Sequence, residues 1–346
     1  MSAAGSFRHV DHARTLVFGA GALDAAADVF AQPFTLLTTP RAAADPLAAT
    51  LVAGAAARID VPSGLVEEVA AELRPAVGGT RLVALGGGRV IDVAKALAAA
   101  DPPRTAIAVP TTLSAAEMTG KHRHARGVPA GTPFARPAVV VNDPALSASA
   151  PVELLAASSA NALAHALAAV AVADASPLAA AVARDAVVRF GAAWEPAAPA
   201  PLAAPSPDRP AAALGALLAG WAVDHSGLGL HHVLAQTAVR TAGLGHAQAN
   251  AALLPVTAAA LRRRAPAAFA ALDAQLGGAP GAVESLARTL RDAAGLSGHG
   301  LGPLAADERL LDRAVEAAAA RPELARIPPA PDNAELRALY LAAAAG

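Results

Sequence analysis

Short apolar runs alternate with alanine-rich stretches over the first 150 residues of the chain. The runs have the length of buried strands, and the stretches that begin near Ala22, Ala42 and Gly64 have helical character. The predicted strands are residues 15–18, 34–38, 57–61, 81–85, 105–109 and 138–141. Because strands that alternate with helices are joined by crossover connections, they align in parallel. The pattern therefore predicts an α/β domain with a parallel sheet over residues 1–150.

The pattern changes after Asp143 and Pro144, and from Val152 onward only helical segments interrupted by proline and glycine remain. We therefore predict a second, all-α domain over residues 151–346. Inside it, residues 195–210 are rich in proline, which removes a hydrogen bond and clashes with the preceding turn in a helix interior. This segment is predicted to be a surface connection.

The composition indicates closely packed helices with small side chains. The 346 residues are 55% hydrophobic but only 3% aromatic, so the apolar side chains are mainly alanine, leucine and valine. At roughly 150 residues per domain, the length fits two domains. It is also sufficient to bury a sizeable core despite the small side chains.

Charge and cysteine content exclude several classes of function. Lys plus Arg total 27 and Asp plus Glu total 28, so the net charge is −1 and no broad basic field is available for a nucleic acid. The absence of cysteine excludes disulfides, a thiolate nucleophile and Cys-ligated metal clusters. Redox chemistry by this chain would therefore need a bound cofactor.

Two segments bear on localisation. Residues 1–11 contain charged side chains and no apolar run, unlike a secretory signal, so we expect a cytoplasmic protein. Residues 154–173 are about as long as a membrane span, but they are mostly alanine and include Asn161 and His165. We expect a buried helix here and no contact with a membrane.

The segment from Leu82 to Lys95 consists of an apolar strand, three glycines and an alanine-rich helix. Glycine lets a phosphate approach the backbone, and the start of the helix offers unpaired N–H groups and a positive dipole end. Three glycines are equally compatible with an ordinary tight turn. Asp92 and Lys95, on one helical face beyond the turn, favour a pyrophosphate site.

A hydroxyl-rich turn follows the predicted strand at residues 105–109, where Thr111 and Thr112 come after Pro110. Ligands of open α/β sheets bind at the carboxyl edge of the strands, so these hydroxyls are candidates to contact a ribose or phosphate. The same residues are also typical of helix capping.

The predicted helical part contains a set of polar residues with catalytic or metal-binding potential. Asn161 and His165 are four residues apart and therefore lie on one helix face, and His246 follows His232 after 14 residues. Together they predict a metal site or a polar catalytic pocket. Each histidine by itself is more typical of a structural role in the core or at the surface.

These motifs occur in the order seen in the iron-containing alcohol dehydrogenase superfamily, and the chain most resembles its maleylacetate reductase branch. The branch is indicated by the turn Pro-Thr-Thr-x-x-x-x-Glu-Met-Thr, by Asn161 where metal-dependent members carry Asp, and by the segment Gly-Leu-His-His. The resemblance spans nearly the whole chain and rests on residues 18–23, 86–95, 110–119, 161–165 and 229–246.

The resemblance implies the dehydroquinate synthase-like fold of this superfamily: an N-terminal NAD(P)-binding α/β domain, a C-terminal all-α catalytic domain and an active site in the cleft between them. It also implies a homodimer. The implied cofactor-binding residues are Thr39, Gly87, Gly88, Arg89, Asp92, Thr111, Thr112 and Thr119. The implied catalytic residues, which match the superfamily's metal ligands, are Asn161, His165, His232 and His246.

Enzymes of this branch use NAD(P)H to reduce the carbon–carbon double bond of maleylacetate, a 4-oxo-2-enedioate, to 3-oxoadipate. The resemblance therefore implies a small dicarboxylate substrate. A neutral Asn161 binds a cation more weakly than a carboxylate does and leaves the pocket more positive. We therefore expect that a divalent metal, Fe or Zn, is not required.

Several positions depart from the reductase pattern. Ala115 and Ala116 replace a glycine and a serine, Gln236 replaces a further histidine, and residues 121–124 replace apolar or aromatic residues. These departures keep two alternatives open: a metal-dependent alcohol or aldehyde dehydrogenase, and a cofactor-binding homologue with impaired catalysis.

The end of the second predicted strand bears on the choice between NADH and NADPH. In this superfamily it faces the adenine ribose, and here it continues as Thr39-Pro40-Arg41 with no acidic residue before Asp45. An acidic residue would accept from the ribose 2′-hydroxyl and repel a 2′-phosphate. We expect NADPH to be accepted, with Arg41 either pairing with the extra phosphate or lying in solvent.

Overall fold

A computed structural model describes residues 7–11, 14–194, 207–296 and 300–346. The chain divides into two compact units, residues 1–150 and 151–346. The first is an α/β unit and the described elements of the second are all helices, so the predicted fold class is confirmed. The assignment of cofactor binding to the first part and catalysis to the second stays a prediction.

The strands in the described part of the first unit form one sheet. They are Phe7–Asp11 (β1), Arg14–Phe18 (β2), Thr35–Thr38 (β3), Ala57–Asp60 (β4), Arg81–Gly86 (β5), Thr105–Pro110 (β6) and Val139–Asn142 (β7). Their order across the sheet is β1-β2-β7-β6-β5-β3-β4. Every neighbouring pair from β2 to β4 is parallel, as predicted.

β1 was not predicted, because its sequence Phe-Arg-His-Val-Asp has no apolar run of its own. It pairs antiparallel with β2, from Phe7 opposite Phe18 to Asp11 opposite Arg14. Pairing with an existing strand supplies the backbone hydrogen bonds that an isolated polar segment lacks. The result is a hairpin at one edge of the parallel sheet.

The direction in which strands are added reverses between β3 and β5. The chain passes from β3 outward to β4, returns to β5, and then continues in the opposite direction through β6 to β7. Open α/β sheets bind ligands outside the carboxyl ends of the strands at such a reversal. The ends of β3, β5 and β6 meet at this edge, because the three strands are parallel neighbours.

Short helices lie along the chain between β2 and β5, and one longer helix follows β5. The helices are Ala22–Ala25 (α1), Pro40–Ala43 (α2), Ala49–Ala53 (α3), Val66–Leu73 (α4) and Gly88–Ala100 (α5). α5 is buried along most of its length, from Val90 to Ala99, and packs on β5 and β6. Its position fixes the start of the helix at the end of β5.

The helices in the described part of the second unit form a second core. They are Val152–Ala171 (α6), Pro177–Trp194 (α7), Arg209–Ser226 (α8), Leu230–Ala242 (α9), His246–Arg264 (α10), Pro266–Gln275 (α11), Ala282–Ala293 (α12), Gly302–Ala306 (α13), Glu308–Ala319 (α14) and Asn333–Ala345 (α15). α6 packs against α7, α8, α10 and α12 and is their common neighbour.

α6 is the segment predicted as a buried helix, and this is confirmed. Among the described residues, it is the helix that is long and apolar enough to cross a membrane, but 89% of its apolar window is buried inside the protein. The core helix of a soluble protein has the same length and composition, so α6 gives little support to a membrane span. Its alanine content instead permits close packing against several neighbouring helices.

Small residues bring α7 and α8 into close contact. A Cβ added at Gly215 would lie 3.3 Å from the carbonyl oxygen of Ala186, which shows how near the two backbones are. The proline-rich connection predicted before α8 falls largely on residues 195–206, which lie outside the described residues. Pro210 lies in the first turn of α8, where a missing amide proton costs no helix hydrogen bond.

Candidate active site

The glycine turn of the first unit lies where β5 ends and α5 begins. Gly87 precedes the helix with φ −81° and ψ −174°, and no side chain caps the first amides of α5. A Cβ at Gly87 would lie 3.1 Å from Thr112, and a Cβ at Gly88 would lie 2.9 Å from Oγ of Ser114. Glycine is therefore needed for space, because the turn after β6 packs directly on this one. The helix start stays open to an anion, and Arg89 in its first turn is exposed.

Two further predicted cofactor positions lie at the same edge of the sheet. Nη2 of Arg41 donates to Oγ1 of Thr111 (3.2 Å), and Nη1 of Arg41 donates to Oγ of Ser149 (2.9 Å). Oγ1 of Thr39 accepts from the amide of Ala42 and caps α2. The side chain of Arg41 is therefore half-buried and held by hydrogen bonds near the carboxyl ends of β3 and β6.

Asp92 and Thr119 are joined by the buried ammonium of Lys95. Nζ of Lys95 donates to Oδ1 of Asp92 (2.7 Å), to Oγ1 of Thr119 (3.3 Å) and to the carbonyl oxygens of Ala116 (3.1 Å) and Lys121 (3.2 Å). A charge without contact to water needs such partners. The contacts fasten the turn at residues 116–121 to α5, which is a positioning role that the sequence did not reveal for Lys95.

Glu117 is a further residue whose role was not predicted. It is 1% exposed, and its Oε2 has no hydrogen-bond partner among the described residues. Burial raises the pKa of the Glu117 carboxyl to about 7, although its own backbone amide and the charge of Lys95 act in the opposite direction. The available signal is a single acidic residue, between the apolar residues Ala116 and Met118, in a turn whose other polar residues carry hydroxyl groups.

The polar segment that departs from the reductase pattern forms a packed cluster of rings. Nδ1 of His122 donates to the carbonyl oxygen of Arg123, and its Nε2 accepts from the amide of Ala135, both at 3.1 Å. Burial lowers the pKa of His122 to about 4, so the ring is neutral. The rings of His122 and His124 lie 5.2 and 4.9 Å from that of Phe134. The two histidine rings of this departure therefore pack against Phe134.

The second unit brings three of the predicted catalytic residues into one neighbourhood. The rings of His165 on α6 and His232 on α9 stack with centroids 4.4 Å apart and planes inclined by 22°. His246, the first residue of α10, is exposed and contributes to the low pKa of His232. Asn161 is buried one turn before His165 on α6.

His232 has unused hydrogen-bonding capacity. It is 3% exposed, and neither Nδ1 nor Nε2 has a partner among the described residues. Burial, followed by the charges of His165 and His231, lowers the pKa of His232 well below its usual range. A neutral imidazole offers one N–H donor and one acceptor, and leaving such a group buried and unpaired costs about 1–3 kcal/mol. The ring therefore retains one donor and one acceptor that no described residue uses.

The four positions that match the superfamily's metal ligands do not form a metal site in this arrangement. No group of three His, Cys, Asp or Glu within the described part of the chain could hold a metal ion. Asn161 also brings no negative charge to the set.

Gln236, which stands in place of a further histidine, has an arginine partner. Both terminal nitrogens of Arg321 donate to its Oε1 at 3.3 Å, and Arg321 also pairs with Glu323. Gln236 lies one turn after His232 on α9. The substitution therefore exchanges an imidazole for an amide that is held by a guanidinium group.

Comparisons with known proteins identify the family of the chain. Residues 155–341 match the Fe-containing alcohol dehydrogenase family, C-terminal. A maleylacetate reductase of Burkholderia cepacia is 32% identical over 299 residues, which is 82% of each chain. A maleylacetate reductase of Rhizobium sp. is 32% identical over 267 residues, covering 74% of this chain and 73% of the relative.

Solved structures give the same result. An iron-containing alcohol dehydrogenase from Corynebacterium glutamicum has a TM-score of 0.80 at 26% identity, covering 98% of this chain and 97% of the other. A maleylacetate reductase from Agrobacterium tumefaciens has a TM-score of 0.75 at 28% identity and covers 97% of both chains. The chain therefore belongs to the iron-containing alcohol dehydrogenase family, on its maleylacetate reductase branch, and is an oxidoreductase enzyme.

Proposed function

We propose that this enzyme uses NAD(P)H to reduce the double bond of maleylacetate, giving 3-oxoadipate. The observation that carries the proposal is His232, whose two buried ring nitrogens are unpartnered among the described residues, stacked on His165. A polar ligand at this ring would complete its hydrogen bonds. The named relatives at 32% identity supply the substrate class.

The residues of the first unit fit a dinucleotide. The open start of α5 offers N–H groups and a positive dipole end to a pyrophosphate. Thr111 and Thr112 lie at the same edge, and Thr112 packs on Gly87. When bound, the cofactor supplies a hydride. The proposal requires that residues of both units act on one substrate.

The reaction places negative charge on the substrate ketone. Hydride adds to the alkene carbon beside the carboxylate, the electrons of the double bond move toward the ketone, and an enolate forms. A proton at the neighbouring carbon then completes 3-oxoadipate. The N–H of neutral His232 can donate to the developing enolate oxygen, and His246, which is exposed to solvent, is the proposed donor of the proton.

The charge of the pocket favours a dianionic substrate. Asn161 is neutral where metal-dependent members carry a carboxylate, so the surroundings of His165 and His232 hold one negative charge fewer. We infer that hydrogen bonds from the histidines perform the polarisation that a metal performs elsewhere in the family. No step of the proposed reaction passes through a metal ion.

We propose that the enzyme accepts both NADH and NADPH. No acidic residue follows β3 before Asp45, and Arg41 at this edge is already oriented by Thr111 and Ser149. NADPH is expected within about tenfold of NADH in kcat/KM, or about 1.4 kcal/mol.

The decisive experiment follows NADH and NADPH oxidation with and without maleylacetate, in wild type and in His232→Ala and His246→Ala. Both variants should lose at least 100-fold in kcat and keep NADH affinity within about twofold, because enolate stabilisation acts only as charge develops. The matched control is His225→Ala, an exposed histidine stacked on Trp221 of the same unit, which should leave kcat unchanged. Loss of NADH affinity alone would contradict these roles.

Other outcomes of the same assay identify the alternatives. Turnover of an alcohol only after addition of Fe²⁺ or Zn²⁺ would show a metal-dependent dehydrogenase, which the likeness to the Corynebacterium glutamicum structure favours. Cofactor binding without turnover of maleylacetate would show impaired catalysis.

A further inference from the structure

A buried polar chain runs behind the candidate catalytic histidines of the second unit. His231 is 1% exposed and Asn250 is fully buried. Nε2 of His231 lies 3.0 Å from Oδ1 of Asn250, and Nδ2 of Asn250 donates to the carbonyl oxygen of His246 at 2.7 Å. The same His231 ring meets the ring of His232 edge to face, with centroids 5.2 Å apart. His232 and His246 are thus linked through two buried side chains.

The hydrogen bonds of Asn250 assign the tautomer of His231. Asn250 uses its amide N–H on His246, so its oxygen faces His231 and requires a proton on Nε2. Nδ1 of His231 then carries the lone pair and lies 2.9 Å from Oγ1 of Thr257. The single proton of that hydroxyl is shared between this nitrogen and the carbonyl oxygens of Leu253 (2.8 Å) and Leu254 (3.1 Å). Every ring nitrogen of His231 is therefore used, in contrast to His232.

We propose that His231, through its hydrogen bond to Asn250, is a positioning residue that sets His232 relative to His246 for the reaction. His231 and His232 are both on α9, whereas Asn250 and His246 are on α10. The Nε2 contact ties the two helices together next to the candidate catalytic rings. The proposal rests on the proposed function, because the reaction is what requires the two histidines to be in register.

A matched pair of amide variants tests the link. In His231→Gln the amide nitrogen reaches the position of Nε2 and can still donate to Asn250, whereas in His231→Asn it reaches only the position of Nδ1. We expect kcat for maleylacetate within about threefold of wild type for His231→Gln and at least tenfold lower for His231→Asn. The KM for NADH should be unchanged in both.

The Tm of both variants is measured together with kcat. Both variants lose the ring and one hydrogen bond, so a purely structural role predicts similar losses of Tm and similar kcat values. Equal kcat values in the two variants, whether lowered or not, would overturn the proposal. A lower kcat for His231→Asn alone, with the KM for NADH unchanged, supports the proposal.

An arm without turnover separates this inference from the proposed reaction. In ¹⁵N-histidine-labelled wild-type protein, His231 should show the Nε2–H tautomer, with its signals assigned by their loss in His231→Gln. The signals of His232 should move in His231→Asn and stay in place in His231→Gln. A wild-type His231 protonated on Nδ1 would overturn the positioning role. Failure of wild type to reduce maleylacetate would reject the proposed function. The ¹⁵N signals of His231 and His232 would then test the His231–Asn250 link by themselves.

Discussion

Ala115 occupies a backbone conformation that favours glycine. Its φ of 64° lies in the left-handed region, and it is the non-glycine residue for which the described structure has a positive φ. An L-residue there costs roughly 1–2 kcal/mol. The reductase pattern has glycine at this position, and the left-handed φ gives the physical reason.

Ala115→Gly is expected to stabilise the protein by about 1 kcal/mol, because glycine removes the Cβ clash of the left-handed region. The measurement is the Tm by calorimetry. The control is Ala116→Gly, a neighbouring departure without positive φ, which should lower the Tm since glycine adds freedom to the unfolded chain. A lower Tm for Ala115→Gly would contradict this account.

Glu117 makes stability depend on pH. Burial raises its pKa to about 7 from 4.5, so the folded chain holds the proton more tightly than the unfolded chain. The stabilising contribution is complete below pH 4.5 and is lost as the pH rises through 7, by an amount on the order of 3 kcal/mol.

Glu117→Gln removes this titration, so its Tm should fall less than that of wild type between pH 5 and pH 8. The matched control is Glu72→Gln on the exposed face of α4, which should follow the wild-type profile. Parallel Tm profiles of Glu117→Gln and wild type would show that the carboxyl is not titrating in this range.

The start of α5 joins the sheet to the candidate phosphate site. The first amides of the helix are uncapped, and the glycine turn touches the turn after β6. A helix start offers its N–H groups to an anion only if the preceding backbone is not covered by side chains. The open start of α5 therefore depends on the two turns that follow β5 and β6.

Gly87→Val should raise the Kd for NADH at least tenfold, or about 1.4 kcal/mol, because its side chain would displace Thr112 at 3.1 Å and cover the helix start. The readout is NADH fluorescence titration, with circular dichroism as the check on folding. Gly78→Val is the control, because a Cβ there meets no atom within 4 Å. Unchanged NADH affinity in Gly87→Val would place the cofactor elsewhere.

The metal content of the purified enzyme follows from residues of several helices. Asn161 is neutral, and no group of three His, Cys, Asp or Glu among the described residues could hold a metal ion. We expect the purified enzyme to contain less than one equivalent of Fe or Zn, and to keep its maleylacetate turnover after dialysis against a chelator. The measurements are elemental analysis and kcat before and after treatment. A stoichiometric metal whose removal abolishes turnover would contradict the expectation.

Element types were readable from the sequence because each has a local cause. The apolar runs of β5 and β6 and the alanine-rich helices are recognisable from a few consecutive residues. The ordered motifs identified the family. β1 was missed because it depends on pairing with β2. Lys95 and Glu117 were underestimated, since burial and contacts with residues about 20 positions away define their roles.

The sequence by itself determined the α/β and all-α classes, the family, and the identity of the residues at the two candidate sites. The two classes follow from local periodicity, whereas the family and the candidate residues follow from motifs that occur in a known order along the chain. Only the tertiary structure decided that His232 is left with unused nitrogens, that His231 is fully engaged with Asn250, and that Ala115 is strained. The physical reason is that hydrogen-bond satisfaction, burial and backbone conformation are set by residues brought together from distant parts of the chain.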